Sequence, residues 1–331
     1  MTHNPLYIVD GLQYCRWDRS VFEQMREGRV TAVHVTIAYW ESFRETVANM
    51  QDWNRMFHDH SDLILHARSA DDVRDAAAEE KTAIIFGFQN CSPMEDDIGL
   101  IEVLHDLGAR FMQLSYNNQS LLATGCYEAD DPGVTRFGKQ AIKEMNRVGM
   151  VIDMSHSAER STLDAIDLSD RPIAITHANP AFWEPALRNK SDRVLKALAE
   201  SGGMVGFSLY PFHLKGKSEC PLDDFCSMTA RAAEIMGVDH IGIGSDLCQG
   251  HDDSVVAWMR NGRWTRDVDF GEGNKASPGW PDPVPWFKDN RDFGNITQGL
   301  LDVGFGTDDV DKIMGLNWIH FFEKSFPARA A

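Results

Sequence analysis

Residues 149–177 read GMVIDMSHSAERSTLDAIDLSDRPIAITH. Two short apolar runs, Met150 to Met154 and Pro172 to Thr176, flank a stretch of helical character, and each run leads directly into a histidine, His156 and His177. A β-run, a crossover and a second β-run make the unit from which parallel sheets are built. The same rhythm recurs outward from this segment, at Leu6 to Gly11, Thr31 to Ile37, Thr82 to Phe88, Arg110 to Ser115, Gly203 to Ser208 and His240 to Gly244. Eight such units predict one (β/α)₈ barrel of the TIM type, a single domain over residues 1–331.

The intervening segments carry helix signals. Ser69 caps a stretch running to Glu80 whose first turn holds Asp71 and Asp72, and Arg136 to Val148 ends at a glycine suited to a helix C-terminus. After the eighth run the pattern breaks. From Cys248 to Asn290 the chain is rich in Gly, Pro and Trp, and it carries Trp258, Trp264, Trp280 and Trp286, four of the nine tryptophans. An insertion after the last strand of a barrel is expected over its mouth or in a subunit interface, where rigid rings contribute area at low entropic cost. A C-terminal helical extension, Ile296 to Phe322, is expected to pack back on the barrel.

Composition narrows the function classes. With 43% apolar and 25% charged residues the 331-residue chain can bury a sizeable core, and its net charge of −18 argues against nucleic acid and anionic membrane surfaces as partners. No run of ~18 apolar residues is present and the N-terminus lacks the features of a signal peptide, so a cytoplasmic location is expected. The six cysteines have no CxxC spacing and are expected to be free thiols. No Gly-rich phosphate signature and no GxSxG elbow occurs.

In a barrel of this kind the chemistry lies at the C-terminal ends of the strands. There stand Gln89 and Asn90 after the third run, Tyr116 after the fourth, His156 after the fifth, His177 after the sixth and Asp246 after the eighth. Two imidazoles and a carboxylate on one face suffice to hold a catalytic zinc ion, which keeps a position open for water. Either histidine alone reads more simply as a hydrogen-bonded structural residue; the coincidence at three strand ends favours the metal. His58 and His60 follow helical sequence and read as solvent-exposed.

The blocks GKQAIKEMNRVGMVIDMSHSAERSTLDAI, PIAITHANPAFWEPALRNKSDRVLKALAESGGMVGFSLYP and GVDHIGIGSDL closely resemble the renal or membrane dipeptidase family of zinc metallopeptidases, most strongly from Gly138 to Asp246. The resemblance implies a barrel, a homodimer and a binuclear zinc site that hydrolyses dipeptides and related amides. It implies that His156 and His177 hold one metal and that Asp246 ligates the other and handles protons. Arg188, in LRNKSD with Asn189, then grips the substrate carboxylate.

The departures are equally specific. Where the family has Asp-Gly-His-x-Asp this chain has DGLQY, with Leu12 and Tyr14 at the ligand positions; the bridging glutamate is Gln89, and the transition-state histidine is Tyr116. Two divalent ions on one matched carboxylate would repel each other strongly in a low-dielectric site. At most one tightly bound ion is therefore expected, on His156 and His177, with Asp246 and the Gln89 oxygen to complete the shell. Cys15, Cys91 and Cys248 follow strands on the same face and could supply thiolate ligands, although buried inert cysteine is the commoner outcome.

Three functions stay open at this point. The first is a metal-dependent hydrolase of a small, dipeptide-like amide, with Asp246 as proton carrier, Tyr116 as oxyanion donor, and Arg188, Asn189 and Gln89 around the substrate. The others are a metal enzyme of different chemistry, such as lactone or cyclic-amide opening or decarboxylation, and a non-catalytic small-molecule binding protein.

Overall fold

The computed structural model describes residues 3–263, 265–267, 271–276 and 278–328. All eight runs form strands of one parallel sheet: β1 (Val9–Gln13), β2 (Ala32–Ala38), β4 (Thr82–Phe88), β5 (Ala109–Gln113), β6 (Val151–Asp153), β7 (Ala174–Ile175), β8 (Met204–Phe207) and β9 (Ile241–Ile243). Neighbours follow chain order from β4 through to β9, β9 pairs with β1, and β2 pairs with both β1 and β4, which closes the barrel. A ninth strand, β3 (Ile64–His66), lies outside the expected set. It pairs with β4 over Thr82–Ile84, below the point where β4 begins to pair with β5 at Phe86. Three residues are too few to display the alternation by which a strand is read from sequence.

β1 starts later than expected, at Val9 rather than Leu6, because its pairing begins with Val9 opposite Ala32 while Leu6 remains 66% exposed. The shift carries Leu12 into the strand. The helix predictions hold closely. Ala70–Ala78 is capped by Ser69 in a reciprocal arrangement with Asp72, and Arg136–Val148 ends at Gly149 with φ 86°, a left-handed conformation that costs glycine nothing.

The barrel interior is divided by height. Val9, Ala32, Ala83, Phe111, Val151, Ala174 and Met204, from the lower parts of seven strands, share one apolar cluster with Trp318, Ile319, Phe321 and Phe322. The helix Asn317–Ser325, part of the expected C-terminal extension, thus plugs the barrel at the end remote from the strand termini. Trp318 donates its indole N–H to Ile243 O at 3.0 Å, and a Cβ on Gly11 would lie 2.7 Å from its ring, so β1 needs glycine there. Above this plug the interior becomes polar, with buried Asp10, Gln13, His34, Gln113, Asp153 and Thr176. No helix among the described residues is long and apolar enough to cross a membrane.

The insertion lies over the barrel mouth. Val256, Met259, Arg260, Glu272 and Trp280 line the same cavity as His156 and Asp246. Trp286 instead packs on Phe225 and donates to Cys220 O at 2.7 Å, on the flank of the barrel. Trp264 lies outside the described residues.

Candidate metal and substrate site

The strand ends bring His156 and His177 together, their Nε2 atoms 3.0 Å apart. Their partners fix the tautomers. His156 Nδ1–H donates to Asn117 Oδ1 at 2.6 Å, which leaves Nε2 with a lone pair. The Thr176 hydroxyl gives its one proton to Asp153 Oδ2 at 2.6 Å, so it accepts from His177 Nδ1–H at 2.8 Å, and His177 Nε2 is a lone pair too. Asp153 is the anchor of this arrangement: it also accepts from Ser155 N and Oγ, Thr176 N and Gln113 Nε2.

Gln89 adds a third acceptor. Its Nε2 donates to Thr36 Oγ1 at 2.8 Å and Tyr39 Oη at 2.9 Å, which turns Oε1 toward His156 Nε2 at 2.9 Å. Three acceptor atoms therefore meet, and among the described residues the only donor reaching any of them is Arg188 Nη2, 3.2 Å from His156 Nε2. Burial, followed by the charge of Arg188, holds both imidazoles well below the usual histidine range, so they remain neutral. Converging lone pairs with no imidazole proton between them are the chemistry of a cation site, and at His156 Nε2 the Arg188 guanidinium already brings positive charge. A nitrogen separation of 3.0 Å lies within the span of two ligands each ~2.0–2.1 Å from one ion. These residues fit one divalent ion.

The positions where the resemblance puts a histidine and an aspartate hold Leu12 and Tyr14. Leu12 is fully buried, and Tyr14 is held edge-on to Tyr39 at 4.9 Å and stacked on His251 at 4.5 Å. Tyr39 in turn meets Tyr116, whose ring stacks on His156 at 4.1 Å. A chain of aromatic contacts thus runs from Tyr14, at one of those positions, to the ring of His156. The thiols offer no substitute: no group of three or more His, Cys, Asp or Glu side chains among the described residues could hold an ion. Burial pushes the Cys91 thiol up to about 11 and the Cys248 thiol well above its ordinary value.

Asp246 lines the cavity without joining such a group. Its backbone sits at φ 55°, a left-handed conformation uncommon for a residue with a Cβ, held by its N–H donating to Leu12 O at 3.0 Å. The carboxyl makes no hydrogen bond among the described residues. Burial raises its pKa to about 7 against the opposing charge of Arg188. Arg188, 1% exposed, donates to Ser155 O, His177 O and His156 Nε2. Asn189 does not line the cavity: its amide bonds Asn179 N, Glu184 O and His213 O, so it braces the loop after β7 instead of meeting a substrate. His58 is exposed as expected, and His60 packs its ring near Phe22 at 5.4 Å.

Several residues of the site escaped the sequence reading. Asn117 and Tyr39 stand just after β5 and β2, so the strand-end rule could have found them. His213 lies farther along the loop after β8, buried, with Nδ1 3.2 Å from Ser208 Oγ. Glu272, in the irregular insertion, accepts from the Arg188 N–H at 3.2 Å and from the Tyr127 hydroxyl. No sequence signal marks it.

Comparison with known proteins decides the family. Residues 19–259 match the model of the membrane dipeptidase family, peptidase family M19. The chain belongs to the membrane dipeptidase family. Among solved structures this family member resembles an amidohydrolase from Pseudomonas aeruginosa, 36% identical, with 97% of this chain and 96% of that one covered and a TM-score of 0.91. A metallopeptidase from Rhodobacter sphaeroides, liganded with a phosphinate mimic of L-Ala-D-Ala, shares the fold at 18% identity and TM-score 0.81, over 98% of this chain and all of that one. Dipeptidase tcpJ of Claviceps purpurea is 26% identical over 84% of this chain. The chain spans 59% of that relative's length and 51% of an uncharacterized dipeptidase of Schizosaccharomyces pombe, to which it is 27% identical over 62% of its own.

Proposed function

We propose that this protein is a metal-dependent hydrolase of small amides of the dipeptidase type, built around one divalent ion. The observation that carries the reading is the meeting of three acceptor atoms, His156 Nε2, His177 Nε2 and Gln89 Oε1, with two tautomers fixed so that no imidazole proton lies between them. His156, His177 and Gln89 hold the ion, and Asp246 stands beside them. Two imidazoles and an amide oxygen suit zinc.

When bound there, the ion supplies Lewis-acid polarisation of a carbonyl and acidifies water. The chain's own groups do the rest. Asp246, with a carboxyl that ionises near neutrality, takes a proton from the attacking water and returns it to the leaving amine. Tyr116 donates its hydroxyl to the oxygen on which negative charge develops, while its ring holds the plane of His156. Arg188 anchors a substrate carboxylate. Met259 and Trp280 of the insertion contribute apolar wall to the cavity.

A homodimer extends this reading from the family resemblance, and a cytoplasmic setting is supported by six free cysteines. The test is metal analysis on protein purified without chelator, together with turnover of dipeptides and N-acyl amino acids. About one equivalent of metal per chain is expected, and His177→Ala should lose metal and turnover together. Full activity in that variant removes the proposal. Absence of metal uptake and of turnover would point to a binding protein.

A further inference from the structure

His213 lines the cavity and has no part in the reaction proposed above. It ends the short 3₁₀ turn Pro211–His213 in the loop after β8 and is 4% exposed. Its backbone is tied on both sides. The N–H donates to Tyr210 O at 2.9 Å, and the carbonyl accepts from the side-chain amides of Asn179 at 3.1 Å and Asn189 at 3.0 Å. The Asn189 bond sets His213 beside the segment that carries Arg188.

The tautomer of the ring follows from Ser208. The Ser208 hydroxyl accepts from Tyr210 N–H at 3.1 Å and lies 3.2 Å from His213 Nδ1, and no other acceptor for its proton stands within reach among the described residues. A buried hydroxyl keeps its proton in a hydrogen bond, so Ser208 donates to Nδ1 and the imidazole proton is on Nε2. Burial, followed by the charges of Arg188 and Lys190, holds His213 well below the usual histidine range, so the ring carries that one proton only. Nε2 has no hydrogen-bond partner among the described residues and is not sealed from solvent, so its N–H opens on the cavity. An imidazole in this form offers the cavity a donor and no metal ligand.

Arg188 leaves a use for such a donor. Its guanidinium is directed at Ser155 O, His177 O and His156 Nε2, so a carboxylate drawn to its charge needs further N–H groups for its remaining lone pairs. A neutral imidazole supplies one without a further positive charge beside Arg188 and Lys190. We infer that His213 is a substrate-binding residue, its Nε2–H donating to the carboxylate oxygen of the dipeptide-like substrate that Arg188 attracts. The assignment rests on the hydrolase reading above and extends it by one contact.

Two substitutions isolate that contact. In His213→Asn the new Oδ1 replaces Nδ1 as acceptor for Ser208 while nothing replaces the Nε2–H, whereas in His213→Gln the longer amide reaches the place of Nε2. With metal-replete protein and L-Ala-L-Ala, His213→Asn should raise KM by ~10-fold or more and leave kcat within about twofold, as for a contact made equally in the ground and transition states. His213→Gln should return KM to within ~3-fold of the parent, and with L-Ala-L-alaninamide the effect of His213→Asn should shrink to ~3-fold or less because the acceptor has lost its charge. An unchanged KM in His213→Asn overturns the assignment, and so does a lowered kcat at constant KM, which would put the N–H on the oxygen of the reacting carbonyl instead. Nitrogen NMR of the parent, with the His213 signal identified by its absence from His213→Gln, tests the tautomer whether or not His213→Asn folds: a proton on Nδ1 overturns the proposal. If the parent turns over no dipeptide, the hydrolase reading fails, and calorimetric binding of N-acetyl-L-alanine to the parent and to His213→Asn decides the contact. Binding ~10-fold weaker in the variant sustains it, and equal affinity or no binding to the parent overturns it.

Discussion

Thr176→Val is the most informative single change below the site. It preserves the volume and β-branching of a buried residue in the strand-to-loop turn after β7 and removes only the hydroxyl that links Asp153 to His177. Two costs follow. Asp153 loses a charge-assisted hydrogen bond of 2.6 Å, for which ~1.5–3 kcal/mol is typical, while retaining its bonds from Ser155, Gln113 and the residue 176 N–H. His177 Nδ1–H is left buried without its acceptor, at ~1–3 kcal/mol. The two groups share one network and can relax together, so a total of about 2–4 kcal/mol is expected in urea unfolding of the metal-free protein. Metal affinity should fall in addition, by ~10–100-fold, because the ring is no longer held in the tautomer that presents Nε2. Zinc affinity by chelator competition reads this second effect separately from stability. Thr176→Ser, which keeps the hydroxyl, should restore most of the affinity. Affinity within twofold of the parent in Thr176→Val, alongside the stability loss, would refute the claim that this relay orients the imidazole.

Other outcomes follow from the same structure. Trp318→Ala, which empties the plug and strands the Ile243 carbonyl, should cost about 3–5 kcal/mol by denaturant titration with zinc affinity changed far less, since its hydrogen bond and ring contacts are with Ile243, Phe321 and Phe322 and not with His156, His177 or Gln89. His34 is held down to about 4, mainly by burial, against about 6.5 unfolded, so between those values the unfolded chain binds the proton that folded His34 refuses. Its stabilising contribution is complete above pH 6.5 and declines as pH falls toward 4, by about 3 kcal/mol at most. Asp10, raised to about 6 by burial, acts in the opposite sense, gaining its proton in the folded state first and favouring folding as pH falls through 6. His34→Gln should therefore lose less stability than the parent between pH 6.5 and 4, and parallel stability curves would count against the assignment.

What could be read from the sequence was what repeats or what sits at a rule-bound position. Eight apolar runs located eight barrel strands because strands buried on both faces are continuous in character, and His156, His177, Gln89 and Asp246 stood out as candidates because a barrel places its chemistry after those runs. The three-residue β3 is too short to show a period, and the start of β1 depended on registry with β2 that Leu6 and Tyr7 do not advertise. Asn189 looked available beside Arg188, yet loop closure directs its amide onto backbone groups. Glu272 and His213 reach the cavity from irregular chain, where spatial neighbours are set by tertiary packing and leave no local pattern.

The aromatic half of the site and its neutral ligand set have a common physical origin. A second divalent ion beside the first requires carboxylates to offset mutual repulsion, and the positions that would provide them hold Leu12, Tyr14 and Gln89. Once those charges are absent, the space is stable only if filled by groups that need no counter-ion. The stack from His251 through Tyr14, Tyr39 and Tyr116 to His156 does this with contacts of 4.1–5.4 Å. The stack also constrains what remains. The ring of Tyr116 fixes one face of His156, and the Tyr39 hydroxyl accepts the Gln89 N–H, so Oε1 cannot turn away from the imidazoles without giving up a buried hydrogen bond. The residues at the departed family positions therefore brace His156 and Gln89, the proposed ligands of a single ion. On this view, restoring a carboxylate by Gln89→Glu alone should not recover a second ion, because Leu12 and Tyr14 still stand where the resemblance puts a histidine and an aspartate, and metal analysis of that variant should again return about one equivalent.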